Sequence, residues 1–435
     1  MKSTGCLENK NCCIFSGMEK RRVVITGMGA VSPLGHNTKE LWKSIKSHQC
    51  GVDRISLFDP TSSPVQIAAE VKNFNPADHG ISPKKAYRMG RFTQFLLAAS
   101  NEAVRDANLD DGILADERTG VVAGTAIGGM DVIDQSFNFY VESGKRKISP
   151  FDVARLIPNE SVANVSMELG ITGCAWVVSS ACASGTDAIG AAFRAIRYGD
   201  LDVCLAGGSE SCITDYVVKG FASMRALTTF YNDCPQKASR PFDKDRSGFV
   251  MGEGGAVLVL EELEHAKARG AKIYAEVAGY GASADAYHIT SPRPNGEVCA
   301  RAVRYALRDA GVTAESVDYY NAHGTSTVMN DSTEAKMLLD VFGNHAKTKM
   351  KVSSTKGMTG HCIGAAGALE AVISTMAIYD SFFPANINCD CRDEKCDINL
   401  VDGCGCPGNI DCAVSASLGF GGHNGVLVFK KYRVE

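Results

Sequence analysis

One fixed offset runs through this chain and limits what it can fold into. Val178, Ser179 and Ser180 match Val352, Ser353 and Ser354, and Ile189 to Ala192 match Ile363 to Ala366, every pair 174 residues apart. Both copies lie where a short apolar run turns into a segment with helical spacing. The pattern reads as an internal duplication of an α/β unit. It predicts two similar halves, residues 21–269 and 270–435, whose equivalent helices pack together at the centre. Short apolar strands alternate with helices along the rest of the chain, so the expected class is α/β in layers. Residues 1–20 carry neither an apolar core nor an Arg-rich face and read as a disordered extension, with Met18 a second candidate start.

The first copy holds a chemical group. Trp176, Val177 and Val178 have strand character. Ser179 to Ala181 form a turn, and after Cys182 a helical face of Ile189, Phe193 and Ile196 runs to Gly199. A thiol at a helix N-terminus meets free amides and the positive end of the dipole, so its pKa is expected to fall toward neutrality. The bland alternative is one more small buried cysteine among 17. In the duplicated half Lys356 holds the turn equivalent to that of Cys182. One half would then supply a nucleophile and the other its helpers across a shared cleft.

Two of the nine histidines follow strand ends in glycine- and hydroxyl-rich turns, His323 in NAHGTST and His361 in STKGMTGHCIGAAG. α/β sites collect at such strand ends. A cysteine with two imidazoles suits carbon–carbon chemistry on a thioester, with the thiol taking an acyl group and two N–H donors holding an enolate oxygen. A protease needs one histidine and an orienting Asn or Asp instead. GFGGHNG, residues 419–425, is either a plain hairpin turn or a turn whose amides complete an oxyanion hole, with Phe420 as a movable lid.

The net charge of −4 offers no reason to expect nucleic-acid or membrane binding. The compartment expected for a chain without a recognisable leader is the cytosol, with reduced thiols. Six cysteines between Cys389 and Cys412 are not spaced as the paired C-x-x-C of zinc sites, so no metal is expected there.

VSSACASG, NAHGTST, SSTKGMTGH and SLGFGGHN, in this order, resemble the signature of the β-ketoacyl-acyl-carrier-protein synthases, and RPFDKDRSGFVMGEGG, DAYHITSP and VVITGMGAVSPLG resemble the elongating type II enzymes. The resemblance covers residues 21–432. It implies a thiolase-like fold of two duplicated halves in an αβαβα stack, a homodimer, acyl carrier protein as partner, and no cofactor beyond the phosphopantetheine that the substrates carry. It makes Cys182 the acyl acceptor and His323 and His361 the groups that assist malonyl decarboxylation. Lys356 becomes a supporting cation with Glu334 as its acidic partner, and Phe420 a gate. Ile127 would line the acyl tunnel. Thr325 and Thr327 would meet the phosphopantetheine arm, with Thr290 and Leu418 further substrate contacts. Lys84, Arg88 and Arg225 would face the acidic carrier. Leu418 stands where Phe is usual, and Phe230 where Arg is common. The same motifs serve fatty-acid elongation and specialised polyketide chains. A silent chain-length partner typically lacks the cysteine, and a thiolase would carry a second cysteine near Gly421 and His423.

Overall fold

The computed structural model describes residues 20–433. The expectations for the N-terminal extension and for Met18 lie outside the described residues, apart from Lys20. Ten strands form one sheet. They are β1 Val23–Val31, β2 Thr119–Gly124, β3 Ala175–Val178, β4 Val203–Glu210, β5 Gly254–Glu262, β6 Ala275–Ala284, β7 Tyr319–Asn321, β8 Lys351–Ser353, β9 Cys412–Gly419 and β10 His423–Lys430. The helices that matter for the site are α1 Thr38–Lys46, α2 Arg91–Ala107, α3 Met130–Glu142, α4 Ser184–Arg197, α5 Glu297–Ala310, α6 Val328–Phe342 and α7 Ala366–Asp380.

The strand order is β3-β2-β4-β5-β1 followed by β6-β10-β9-β7-β8. Read outward from the middle, the first five strands run 1-5-4-2-3 and the second five run 6-10-9-7-8. The parallel and antiparallel pairings repeat in the same way. The halves join through an antiparallel pairing of Val23–Ile25 with Ala275–Val277. β1 and β10 carry apolar runs buried almost throughout, as strands covered on both faces require.

Helices α4 and α7 each pack against strands of both halves and against each other, while α2 covers the first half and α5 the second. The layers are therefore helix, sheet, helix, sheet, helix. Small residues make the central crossing close. A Cβ on Gly185 would come within 2.9 Å of the Ala368 amide, and one on Gly29 would strike the Ala99 carbonyl, where α2 lies on bare strand backbone. The 363–380 stretch meets the length and apolarity of a membrane-crossing segment, and 83% of it is buried inside the fold. It is apolar because it is the central helix of a core.

The duplication holds for the sheet and shifts in the helices. Val178 and Val352 both lie in edge strands, but α4 begins at Ser184 and α7 at Ala366, a step eight residues longer than 174. Ile189 therefore lies inside α4, whereas Ile363 precedes α7. The extra residues of the second half form a short helix, Lys356–Thr359, and a turn that carries His361.

Candidate active site

The thiol sits in a strained turn. Between β3 and α4 the backbone passes through Ala181 at φ 53°, a left-handed conformation that costs a residue with a Cβ about 1–2 kcal/mol. Local hydrogen bonds hold it there. The Ser180 amide donates to Ser184 Oγ at 2.9 Å, and Ser184 Oγ donates to the Ala181 carbonyl at 2.7 Å. Ser180 Oγ and the Tyr280 hydroxyl both donate to Asp187 one turn into α4. The turn aims the Cys182 side chain back toward the second half.

Three turns of that half converge on it. His361 Nε2 lies 3.0 Å from Cys182 Sγ. The His323 ring stands edge-on to His361 with centroids 5.3 Å apart, and donor atoms of all three residues lie within 4.8 Å of one another. Phe249 packs edge-on against the other side of His361. His323 follows β7, where the amides of His323 and Gly324 both donate to the Glu334 carboxylate of α6, at 2.8 and 2.7 Å. The Nδ1 atoms of both histidines are buried and make no hydrogen bond among the described residues.

Lys356 Nζ pairs with Glu370 of α7. This corrects the expectation for Glu334, whose carboxylate is occupied by the two amides that set the His323 turn. Spacing along the sequence could not separate the two glutamates. Glu370 became the partner because α7 crosses directly beneath the Lys356 turn. Burial raises both Glu370 and Glu334 to about 7, and Lys356 opposes the shift in each.

The pKa expected for Cys182 is also corrected. Burial pushes the thiol up to about 11, although Lys356 and the backbone amides of Phe420 and Cys182 itself pull the other way. Desolvation of the thiolate exceeds the helix-terminus effect. The resting group is a neutral thiol that needs a base to react. His361 is placed to be one, because burial and the Lys356 charge hold its pKa well below the usual imidazole value. The same causes, with His361 added, lower His323. A metal ion at this trio would sit beside the Lys356 ammonium, which disfavours a second cation.

The trio opens into a cavity of about 540 Å³. Ile127, Thr290, Thr325, Thr327, Leu418 and Phe420 all line it, and so does Arg225. Thr325 and Thr327 share a hydroxyl hydrogen bond of 3.0 Å. Arg225, Ser326 and the β-branched Ile363 around this cavity have positive φ, so strain concentrates at the site. Lys84 and Arg88 are not brought to the cavity wall. Both are exposed in the 83–88 turn, where the Arg88 guanidinium lies over the Phe151 ring.

Phe420 is half-buried, with its ring 6.2 Å from that of Phe221. Gly421 and Gly422 beside it have φ of 81° and 76°, and a Cβ on Gly419 would come within 2.8 Å of the Ser180 carbonyl. The glycines thus let the loop lie directly against the nucleophile turn.

Glu210 escaped the reading of the sequence. Buried at the end of β4, it accepts from Thr125 Oγ1 and from the amides of Ala126, Ile127 and Gly128, and from Gly364 of the other half. It shapes the loop that presents Ile127. The signal was present as a glutamate ending an otherwise apolar strand, in LAGGSES.

A thiol in a strained strand-to-helix turn, with two imidazoles from a duplicated half, defines a thiolase-like condensing acyltransferase. The chain matches the profile of the β-ketoacyl synthase N-terminal domain over residues 20–266 and that of the C-terminal domain over residues 274–390. It belongs to the β-ketoacyl synthase family. A Staphylococcus aureus protein named 3-oxoacyl-[acyl-carrier-protein] synthase 2 is 47% identical over 414 residues, 95% of this chain and 99% of that protein. Among solved structures, the ishigamide ketosynthase/chain length factor superposes with TM-score 0.90 at 34% identity, covering 95% of this chain and all of its own. A ketosynthase bound to its type II polyketide acyl-carrier protein superposes with TM-score 0.86 at 32% identity, with the same coverage.

Proposed function

We propose that this enzyme elongates fatty acyl chains on acyl carrier protein by decarboxylative condensation with malonyl-carrier protein. The observation that carries the reading is the 3.0 Å contact of His361 Nε2 with Cys182 Sγ, beside His323 in a lined cavity. In the first half-reaction Cys182 Sγ attacks the acyl thioester while His361 takes the thiol proton. The oxyanion faces the amides of Cys182 and Phe420. Collapse releases the carrier thiolate, which recovers the proton from His361. In the second, the malonyl thioester loses its carboxylate as CO2, and the resulting enolate oxygen lies between His323 and His361. The enolate carbon attacks the acyl carbonyl. Cys182 leaves as a thiolate and takes one proton from solvent, and 3-oxoacyl-carrier protein is released. Thr325, Thr327 and Thr290 contact the phosphopantetheine arm, and Ile127 and Leu418 contact the acyl chain. No cofactor beyond that arm takes part.

Identity favours fatty-acid elongation over a polyketide chain, 47% against 32%. The solved complex of a relative with its carrier protein supports acyl carrier protein as the partner, and Arg225, Lys84 and Arg88 are candidates for the surface that meets it.

The working unit is a homodimer. One sheet edge, β8, is covered, because the Val352 amide donates to Asn399 and its carbonyl accepts from Val401. The other edge, β3, pairs among the described residues only with β2 and exposes half of Trp176, and on α3 Phe137 is 62% exposed. A free apolar edge of this kind invites a second copy. The expected setting is the cytoplasm. The test is a chain-length series of acyl-carrier proteins with malonyl-carrier protein, read by mass spectrometry. Products two carbons longer are expected, and iterative polyketides without a fatty-acyl product overturn the reading. Light scattering checks the dimer.

A further inference from the structure

A second cavity, about 590 Å³, lies on another face of the molecule, between α1, the C-terminal half of α2, the segment before β6 and the C-terminal end of α7. It shares no lining residue with the catalytic cavity. Its walls are apolar and aromatic, with Met28, Trp42, Tyr274, Met376 and Tyr379 facing the space. Several polar atoms of these walls are already engaged. Trp42 Nε1 donates to Asp380 at 2.6 Å, and the Tyr274 hydroxyl donates to Asp106 at 2.8 Å. Asp106 also accepts from the Met28 amide, and Glu102 accepts from the Ala30 and Thr38 amides. What is left is a set of cations.

Four lysines line the space in a chain of net charge −4. Lys46 is paired with Asp380. Among the described residues, Lys39, Lys43 and Lys272 meet no carboxylate. Lys272 instead sits 3.8 Å from the centre of the Tyr274 ring and 5.0 Å from that of Tyr379. The Glu102 and Asp106 carboxylates line the space too, but they are taken up by backbone amides and the Tyr274 hydroxyl, so an apolar slot with lysines beside it complements a molecule with a long hydrocarbon body and a negative head. A nucleotide fits less well, because a base needs edge partners and the aromatic wall spends its Trp42 and Tyr274 donors on Asp380 and Asp106.

We propose that this cavity binds a monomeric long-chain acyl anion, with the chain against Trp42, Met376 and the two tyrosines and the head group at Lys39, Lys43 and Lys272. The site is separate from catalysis in its residues, and α7 joins the two. Glu370 near its start holds Lys356, while Met376 and Tyr379 near its end form the cavity wall.

Trp42 is one of two tryptophans, and the other, Trp176, lies on an exposed strand edge. Titrating the full-length enzyme with palmitate below its aggregation range should therefore give a saturable change in fluorescence that Trp42→Phe removes. In the double variant K39E/K43E the affinity should fall by about tenfold, since each exposed charge contributes modestly, while condensation continues at the wild-type rate. The proposal is overturned by any of four results. They are no saturable change, equal palmitate affinity in wild type and double variant, equal binding of dodecyltrimethylammonium, or displacement of palmitate by adenosine monophosphate. Binding to phosphatidylglycerol vesicles without binding of monomeric palmitate overturns it as well, in favour of a membrane surface.

Discussion

The two halves repeat the same five-strand order, yet their strand-to-helix turns perform different chemistry. In the first half, five residues connect β3 to α4, and the strained turn puts a thiol at the start of the central helix. In the second half, twelve residues connect β8 to α7, and the added length holds the short helix with Lys356 and the turn with His361. The comparison teaches how a duplicated fold becomes asymmetric. The shared sheet fixes where the turns meet. A longer connection on one side then supplies a base and a cation to a thiol on the other.

The comparison breaks first at the nucleophile. Cys182→Ala should abolish condensation and remove the acyl adduct seen in intact-protein mass spectra. Adducts persisting on the variant at the wild-type rate would sink the assignment.

Next come the two imidazoles, which the geometry makes unequal. Only His361 touches the thiol. His361→Ala should slow both acyl transfer to Cys182 and malonyl decarboxylation, whereas His323→Ala should lose decarboxylation and keep most acyl transfer. Losses of about 10²–10⁴ are expected for groups that position protons or hold an enolate. Single-turnover acylation, measured apart from CO2 release, separates the two. Identical profiles for the two variants would erase the distinction.

The buried pair sharpens the contrast between the halves. Glu370→Gln leaves the Lys356 ammonium buried without its counter-ion, which costs about 3–5 kcal/mol. Glu334→Gln keeps an oxygen for one of the two amides and should cost less. Chemical denaturation ranks the two, and equal losses would argue against Glu370 as the partner of Lys356.

The thiol's protonation gives a smaller, graded effect. Folding raises its pKa from 9.0 to about 11. The neutral thiol is thus favoured in the folded state. That contribution is complete below about pH 9 and disappears as pH rises through 11. Alkylation of Cys182 by iodoacetamide should therefore keep accelerating through pH 9 and 10. A plateau by pH 8 would restore the low-pKa thiolate that the helix terminus alone suggests.

The gate carries the smallest effect. Phe420→Ala should raise malonyl decarboxylation relative to condensation a few-fold, because the ring lines the cavity that Cys182 also faces. An unchanged ratio would make the 419–425 turn a fixed hairpin.

Much of the site was readable in the chain itself. The offset copies announced a duplicated α/β unit. The turn residues around Cys182, His323 and His361 marked strand ends where side chains enter a cleft. Local pattern determines these features, since strand, turn and helix are set by neighbours a few residues away. Three things were decided only by the tertiary structure. Lys356 chose Glu370 over Glu334 because helix crossing, not sequence distance, sets which carboxylate lies beneath it. Cys182 became a weak acid because burial from all sides outweighs the dipole of its own helix. Glu210 became an organiser because five donors from two distant segments converge on it. Desolvation and long-range contact are properties of the packed interior, so no window of the sequence holds them.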